Sequence, residues 1–162
     1  MKKLLTVLAA LSLLKTGDIF RKMGANREAA AAYGKAVETF SGIAERTDSH
    51  RSRKSLATAL EKSAKAYDAL GNREEEGRCI DKALWLREEA AGERPSDTTN
   101  NELAVTCYQA ALFRRDAATM RRALEIWEKL CEKDPENREY RENAEHAREA
   151  LKTLEPAQGN ET

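Results

Sequence analysis

The sequence repeats itself with a period of 47 residues, and this repeat constrains the fold more than any other feature. Gly24 and Gly71 each end an amphipathic run, and 71 − 24 gives the period. Small and large apolar residues recur at this offset, which indicates copies of one supersecondary unit. The matched positions are Leu13 and Leu60, Gly17 and Ala64, Phe20 and Tyr67, Tyr33 and Ile80, Ala36 and Ala83, and Val37 and Leu84. A third copy follows after another 47 residues, at Cys107, Ala111, Ala118, Ala123, Trp127, Leu130 and Cys131. One position fails, since Arg114 falls where Phe20 and Tyr67 stand, and we expect Phe113 to supply the missing aromatic.

The composition favours helices along the whole chain. Charged residues make up 35% of the 162 residues, and the chain holds only 8 glycines and 3 prolines. Because Ala, Leu, Glu, Lys and Arg are good helix formers, we predict an all-α fold. Lys plus Arg equals Asp plus Glu at 28 each, so no net charge draws nucleic acid to the chain. We therefore expect no nucleic-acid partner.

The repeated positions resemble the tetratricopeptide repeat (TPR). The TPR pattern is W-x2-L-G-x2-Y, then A-x3-F, a second Ala and a closing Pro. The first copy reads Leu13, Thr16-Gly17, Phe20, Ala29, Tyr33 and Ala36, and the second reads Leu60, Ser63-Ala64, Tyr67, Ile80 and Ala83. The third reads Cys107, Ala110-Ala111, Ala123, Trp127 and Pro135, while Glu76 replaces the expected Ala of the second copy. The resemblance covers residues 8–137 and implies an α-solenoid of stacked antiparallel helix pairs.

The period is longer than the roughly 34 residues usual for this family. Pro135 follows Ala123 by 12 residues, as the family pattern expects, but Ser41 and Glu88 hold that place in the first two copies. The second helices of those copies are therefore predicted to run on, as in the long-repeat variants that kinesin light chains resemble. We predict one domain over residues 1–154, with repeats at 8–50, 54–97 and 101–136 and a C-terminal capping helix at 137–154. The predicted helices span 4–23, 26–47, 53–70, 73–92, 101–115, 117–133 and 137–154.

The two ends of the predicted solenoid differ in character. The last helix has a single apolar stripe from Tyr140 to Leu154 and a charged opposite face, which suits a terminal cap. Residues 155–162 are predicted to be a disordered tail. At the other end, the run from Leu4 to Leu14 is apolar nearly all round, so we predict that self-association or upstream repeats cover it. This run is too short to span a bilayer, but after two lysines it also resembles a secretory signal of about residues 1–14.

A candidate binding groove follows from the family resemblance. In TPR proteins, partners lie in a concave groove lined by the first helix of each pair, which implies a protein or peptide ligand here. Leu14 and Asp18 replace the Lys and Asn with which co-chaperone TPR domains hold a carboxylate, so a chaperone tail is not predicted. Val105, Tyr108 and Leu112 form an apolar set that indicates a contact surface. The candidate groove residues are Leu11, Leu14, Lys15, Arg21, Lys62, Lys65, Val105, Tyr108, Gln109, Leu112 and Arg115.

We predict no catalytic, cofactor or metal site. The sequence has no phosphate loop, no dinucleotide fingerprint and no paired acid and base, which also argues against a small-molecule substrate. The three cysteines form no CxxC pair and are interpreted as core residues in a reducing compartment. Neither histidine has partners at metal-ligand spacing. The basic cluster of Arg51, Arg53 and Lys54 is interpreted as a solvated loop between repeats.

Two hypotheses about function remain open. The first is a cytoplasmic, non-catalytic scaffold that binds a protein or peptide. The second is a secreted or periplasmic TPR protein whose signal spans about residues 1–14 and which serves the assembly of an envelope complex. A mature chain that begins near Leu13 would distinguish them.

Overall fold

The computed structural model describes residues 1–155, and in that range the chain consists of helices and turns without a strand. This confirms the all-α prediction. By internal contacts the chain divides into two compact units, Met1–Ala90 and Ala91–Thr162, and the division falls in the last turn of α4. Each unit is described by itself below. The helices are α1 (Lys2–Lys22), α2 (Asn26–Thr47), α3 (His50–Ala69), α4 (Arg73–Glu93), α5 (Asp97–Arg114), α6 (Ala117–Lys133) and α7 (Arg138–Leu154).

The 47-residue period appears in the structure as a period of burial. Gly17, near the end of α1, is buried because the ring of Tyr33 in α2 lies directly against its Cα. The small residues at this position are buried in all three copies, and so are the large residues 16 positions later. These two sets are Gly17, Ala64 and Ala111, and Tyr33, Ile80 and Trp127. The predicted close approach of small against large side chains is therefore supported by burial in every copy.

The first two helix pairs close with the same turn. Gly24 and Gly71 have positive φ values of 75° and 70°, a conformation in which a side chain would be strained. The backbone N–H groups of Ala25 and Asn72 donate to residues that are themselves 47 apart, Phe20 and Tyr67, both at 2.9 Å. The turn geometry therefore repeats together with the sequence, which explains why glycine recurs at this position.

The third pair closes three residues earlier than the period predicts. Arg115, with φ 55°, occupies the left-handed position that glycine holds in the first two turns. The N–H of Asp116 donates to the carbonyl of Ala111 at 3.0 Å, and α6 starts at Ala117. Phe113 is half-buried and Arg114 is exposed, in keeping with the irregularity that the sequence indicates here. The turn has moved by about one helical turn, so the buried positions of α5 and α6 keep their spacing.

The second unit contains α5, α6 and α7, which pack in succession as α1, α2 and α3 do in the first unit. Trp127 is almost fully buried, and its indole N–H donates to Asn101 on α5 at 2.8 Å. Asn101 in turn donates to Glu139 on α7 at 3.1 Å. In α7, Ala144 and Ala147 are buried while the charged side is exposed, as the prediction of a capping helix requires.

Three helices begin earlier than the sequence predicts: α1 by two residues, at Lys2, and α3 and α5 by three and four residues. Ser49 caps α3 by accepting a hydrogen bond from the N–H of Ser52 at 3.1 Å, so α3 starts at His50 instead of residue 53. Ser96 and Thr99 form a capping box that starts α5 at Asp97 instead of residue 101. The earlier start of α3 overturns the loop interpretation of the basic cluster, because Arg51, Arg53 and Lys54 all lie in its first turns.

The structure describes the predicted apolar run at the amino-terminal end completely, but the predicted tail at the carboxyl-terminal end only at its first residue. Ala10 is fully buried and Leu14 nearly so, which gives the apolar run of residues 4–14 a place in the fold as part of α1. No helix of the described residues is long and apolar enough to cross a membrane. Glu155 follows α7 and pairs with Arg121, while residues 156–162 of the predicted tail lie outside the described residues.

Candidate functional site

The structure divides the predicted groove residues between the two units. Most of the members on α1 and α3 are exposed, but Leu14 is only 7% exposed and lies beneath the surface instead of on it. On α5, Val105 and Leu112 are exposed, Tyr108 and Gln109 are partly buried, and Arg115 stands in the turn after the helix. The first unit holds Leu11, Leu14, Lys15, Arg21, Lys62 and Lys65, and the second holds Val105, Tyr108, Gln109, Leu112 and Arg115.

Two cavities lie between α1 and α3, and together we call them the α1–α3 cleft. The larger has a volume of about 410 Å³ and is lined by Leu11, Leu14, Arg51, Lys54, Ser55 and Thr58. The smaller has a volume of about 220 Å³ and is lined by Lys3, Leu4, Val7, Phe40, Arg51, Ser52 and Ser55. Because Arg51 and Ser55 line both cavities, the two form neighbouring parts of one depression.

The two walls of the α1–α3 cleft differ in chemistry. Apart from Lys3, the α1 wall is apolar, with Leu4, Val7, Leu11 and Leu14 spaced by three and four residues along one helical face. The α3 wall consists of hydroxyl and basic side chains near the amino-terminal end of that helix, where the helix dipole also favours negative charge. Among the lining residues that the structure describes, none is a carboxylate. The cleft is therefore suited to an apolar ligand that carries negative charge.

One carboxylate connects the three helices around this cleft. Asp18 on α1 accepts a hydrogen bond from the hydroxyl of Tyr33 on α2 at 2.6 Å and from the ammonium of Lys62 on α3 at 2.7 Å. Burial alone would raise the pKa of Asp18, but the hydrogen bonds from Lys62 and Tyr33 outweigh it and lower that pKa. Burial and the Asp18 charge raise the pKa of Tyr33 to about 12, so its hydroxyl stays a donor.

Sequence reasoning missed a buried ionic cluster on α3 and α4. Arg87 is 4% exposed, and its guanidinium donates to both carboxylate oxygens of Glu61 at 2.9 Å and to the hydroxyl of Thr58 at 3.1 Å. These three residues stand one period after Leu11, Leu14 and Phe40, which are apolar. A comparison of the copies could have found the cluster, because one polar and two charged residues replace a whole apolar set.

On α5, the predicted apolar set shares one helical face. Val105 is 37% exposed and Leu112 is 48% exposed, while Tyr108 between them is partly buried. The ring of Tyr108 lies with its centroid 6.1 Å from that of Trp127, at an interplanar angle of 58°. The tilted ring pair holds Tyr108 in place, so the α5 face is an apolar surface with a fixed aromatic centre.

Burial limits the reactivity of the cysteine thiols. Burial raises the pKa of the Cys79 thiol to about 11, which keeps it protonated and a poor nucleophile at neutral pH. None of the three cysteines forms a disulfide bond, and Cys107 is fully buried. Within residues 1–155, no group of three His, Cys, Asp or Glu side chains is placed to hold a metal ion.

Comparisons with known proteins find similarity only among solved structures. No family model matches the chain, and no curated protein is significantly similar to it. One similar structure is titled "DHF58 filament"; it is 19% identical, with 92% of this chain and 78% of that chain covered and a TM-score of 0.43. Another is the de novo designed helical repeat protein DHR64, also 19% identical, with 92% and 79% covered and a TM-score of 0.37.

The internal repeat defines the class of protein to which the chain belongs. In the first unit α1, α2 and α3 pack in succession, and in the second unit α5, α6 and α7 do so. Buried positions of these helices recur every 47 residues. The chain is therefore an all-helical repeat protein.

Proposed function

We propose that this chain is a non-catalytic, TPR-type interaction module that holds a segment of a partner protein in the α1–α3 cleft. The observation that carries this proposal is the cleft itself, in which an apolar wall on α1 faces a hydroxyl and basic wall on α3. Clefts with many apolar and a few polar lining groups are the usual form of a ligand site. The lack of carboxylates among the described lining residues supports a segment that combines leucine-like side chains with acidic ones.

The α5 face supports the same function in the second unit. Val105 and Leu112 are exposed on either side of the fixed ring of Tyr108, and such apolar sets with an aromatic centre are common in contact surfaces. We infer that this face is a second contact point for a protein ligand.

A photo-crosslinking amino acid tests where the partner lies. We would place it at Ser55 in the cleft, at Leu112 on the α5 face, and at Lys35 on the exposed side of α2 as the control. We expect one defined partner to be captured at Ser55 and Leu112 but not at Lys35. Mass spectrometry of the adducts then identifies the crosslinked segment and its content of apolar and acidic residues.

Affinities measured with that segment test the chemistry of the cleft. Leu11→Asp and Arg51→Glu each place a negative charge in the cleft, and each should weaken binding by about tenfold or more. The control Lys35→Glu makes a similar charge change outside the cleft and should leave the affinity unchanged. Equal loss in all three variants, or no loss in the two cleft variants, would contradict the proposal.

We further propose that residues 1–14 remain in the working protein as part of α1 and that the protein is cytoplasmic. The burial of Ala10 and Leu14 supports the first point, and the lack of a disulfide among the three cysteines supports a reducing compartment. Mass spectrometry of the amino terminus, after expression in a host with a secretion pathway, tests this. A mature chain that starts near Leu13 would instead support the exported alternative.

A further inference from the structure

The side of α1 that faces away from α2 is apolar and exposed, and we call it the outer α1 face. It is formed by Leu5, Leu8, Ser12, Lys15 and Ile19. Leu5 and Leu8 are 64% and 51% exposed, and Ile19 is 59% exposed. A row of half-exposed large aliphatic side chains along four turns of a helix is unusual for a free surface and indicates a contact.

The face of α3 that lies one period after the outer α1 face makes contacts within the first unit. Ser52 and Ser55 of α3 line the cavities shared with α1, and Lys62 donates to Asp18 of α1 at 2.7 Å. Ala59 and Ala66 on the same side are fully buried, and α3 packs against α2. This face is thus the one by which α3 joins the preceding pair. Subtracting 47 from its members gives Leu5, Leu8, Lys15, Ser12 and Ile19, which are members of the outer α1 face.

We propose that the outer α1 face docks a further helix pair of the same repeat type, in the way that α3 receives α1 and α2. Lys15 takes the place of Lys62, so the first helix of the docking pair carries a carboxylate in the position of Asp18. Leu5 and Leu8 stand where α3 has serines, so the docking pair meets α1 through a more apolar surface than the one between α1 and α3. This inference concerns a different face from the cleft and does not depend on the proposed ligand.

The charges of the chain argue against a second copy as the occupant. Asp18 is the only acidic residue of α1, and it is already bound by Lys62 and Tyr33. Two α1 helices facing each other would therefore bring like charges together, which is unfavourable. The exposed side of α7 offers no apolar match either, since it carries Glu142, Glu145, Arg148 and Glu149. The basic residues of α1 are Lys2, Lys3, Lys15, Arg21 and Lys22.

The test supplies a helix pair in the correct register. A copy of residues 1–49 is joined directly to Lys3 of the full chain, so that Lys3 takes the place of His50 after the capping Ser49 and the 47-residue spacing is kept. Amide hydrogen exchange in the Leu4–Leu14 segment of the receiving α1 reports docking, and we expect its protection to rise by about tenfold or more over the unfused chain. The matched control is the same fusion with Leu8→Asp in the receiving helix, which should return exchange to that of the unfused chain.

The predicted ion pair gives a second readout in the fusion. Lys15→Asp in the receiving helix should weaken docking by about two- to fivefold, and Asp18→Lys in the added copy should restore it. Unchanged exchange in the fusion would overturn the proposal. It would also be overturned if the unfused chain sedimented as a dimer that Leu8→Asp dissociates, which would indicate a second copy. The proposal would also be overturned if the unfused chain bound vesicles of phosphatidylcholine and phosphatidylserine and Leu8→Asp abolished that binding. The outer α1 face would then bind a membrane surface instead.

Discussion

The contact between Gly17 and Tyr33 leads to a sharp prediction about stability. A Cβ atom added at Gly17 would lie 2.5 Å from Cδ1 and 2.9 Å from Cζ of the Tyr33 ring. The ring cannot move aside easily, because Tyr33 is fully buried and its hydroxyl is bound to Asp18 at 2.6 Å. In the second and third copies alanine is native at this position, but there the large side chain is Ile80 or Trp127. We therefore expect Gly17→Ala to destabilise the first unit.

The magnitude follows from three contributions. Forcing a methyl group into a packed site costs about 1–3 kcal/mol. Displacing the ring also weakens a hydrogen bond to a charged acceptor, which is worth about 1.5–3 kcal/mol when lost completely. Against these, replacing glycine by alanine inside a helix stabilises by about 1 kcal/mol. We expect Gly17→Ala to lower the free energy of unfolding by about 2 kcal/mol. A Cβ atom added at Gly34 on α2 has no neighbouring atom within 4 Å, so Gly34→Ala should raise the free energy of unfolding by up to about 1 kcal/mol.

Urea denaturation, monitored by circular dichroism, compares the stabilities of Gly17→Ala and Gly34→Ala. Hydrogen exchange then tests whether the loss of stability lies in α1 and α2. The difference of about 3 kcal/mol should separate the midpoints by about 1–2 M urea. The double variant Gly17→Ala with Tyr33→Ile copies the pair Ala64 and Ile80, and its loss should be smaller than the sum of the single losses by about 1 kcal/mol. If Gly17→Ala is as stable as Gly34→Ala, or if the double variant is strictly additive, steric contact does not govern this position.

Three further predictions concern other parts of the chain. Glu61→Ala leaves the buried Arg87 guanidinium without its carboxylate and should cost about 3–5 kcal/mol in urea denaturation, whereas Glu61→Leu with Arg87→Phe, which copies the first repeat, should be neutral or stabilising. Glu76 is 6% exposed, and burial, with help from Asp68, raises its pKa, so its ionisation destabilises the fold progressively as the pH rises from the ordinary glutamate pKa through the raised one. Glu76→Gln should therefore be more stable than the wild type at neutral pH, and thermal melts should show this advantage disappear as the pH falls below the ordinary glutamate pKa of about 4.3. Ser96→Ala removes the capping box of α5 and should cost about 1 kcal/mol in chemical denaturation, while the exposed neighbour Thr98→Ala should change stability by less than about 0.5 kcal/mol.

Much of the fold could be predicted because helix stop signals and the repeat agree. The predicted bounds of α2 and α6 match the structure, since Gly24 and Asp134 are clear boundaries next to strongly periodic segments. The starts of α3 and α5 were predicted three and four residues late. In both cases a serine cap extends the helix into a polar segment whose composition is typical of a loop. The extension of α2 and α4 beyond the usual repeat length, to Thr47 and Glu93, is confirmed.

The candidate site could be predicted only in part, because side-chain burial depends on neighbours distant in sequence. Leu14 was expected on the surface but is covered, since α3 comes close enough to form the cleft over it. Glu61 and Arg87 look like ordinary solvated charges in the sequence, and only the packing of α4 on α3 reveals them as a buried pair. Lys62 was predicted for the groove, but its bond to Asp18 across the helices could not be read from a separation of 44 residues.

The first copy has the apolar residues Leu11, Leu14 and Phe40 where the second copy has its ionic cluster. This difference affects how reliably the helices find their correct partners. Tandem repeats with matching backbones can pair with the wrong neighbour or exchange between molecules. If α4 took the place of α2, Arg87 would arrive beside Leu14 without a carboxylate, and an unpaired buried charge costs several kcal/mol. The backbone geometry would allow α2 and α4 to exchange places. The side chains favour only the native position of each helix. An ionic cluster that adds little to the stability of the native chain thus excludes its misassembled forms.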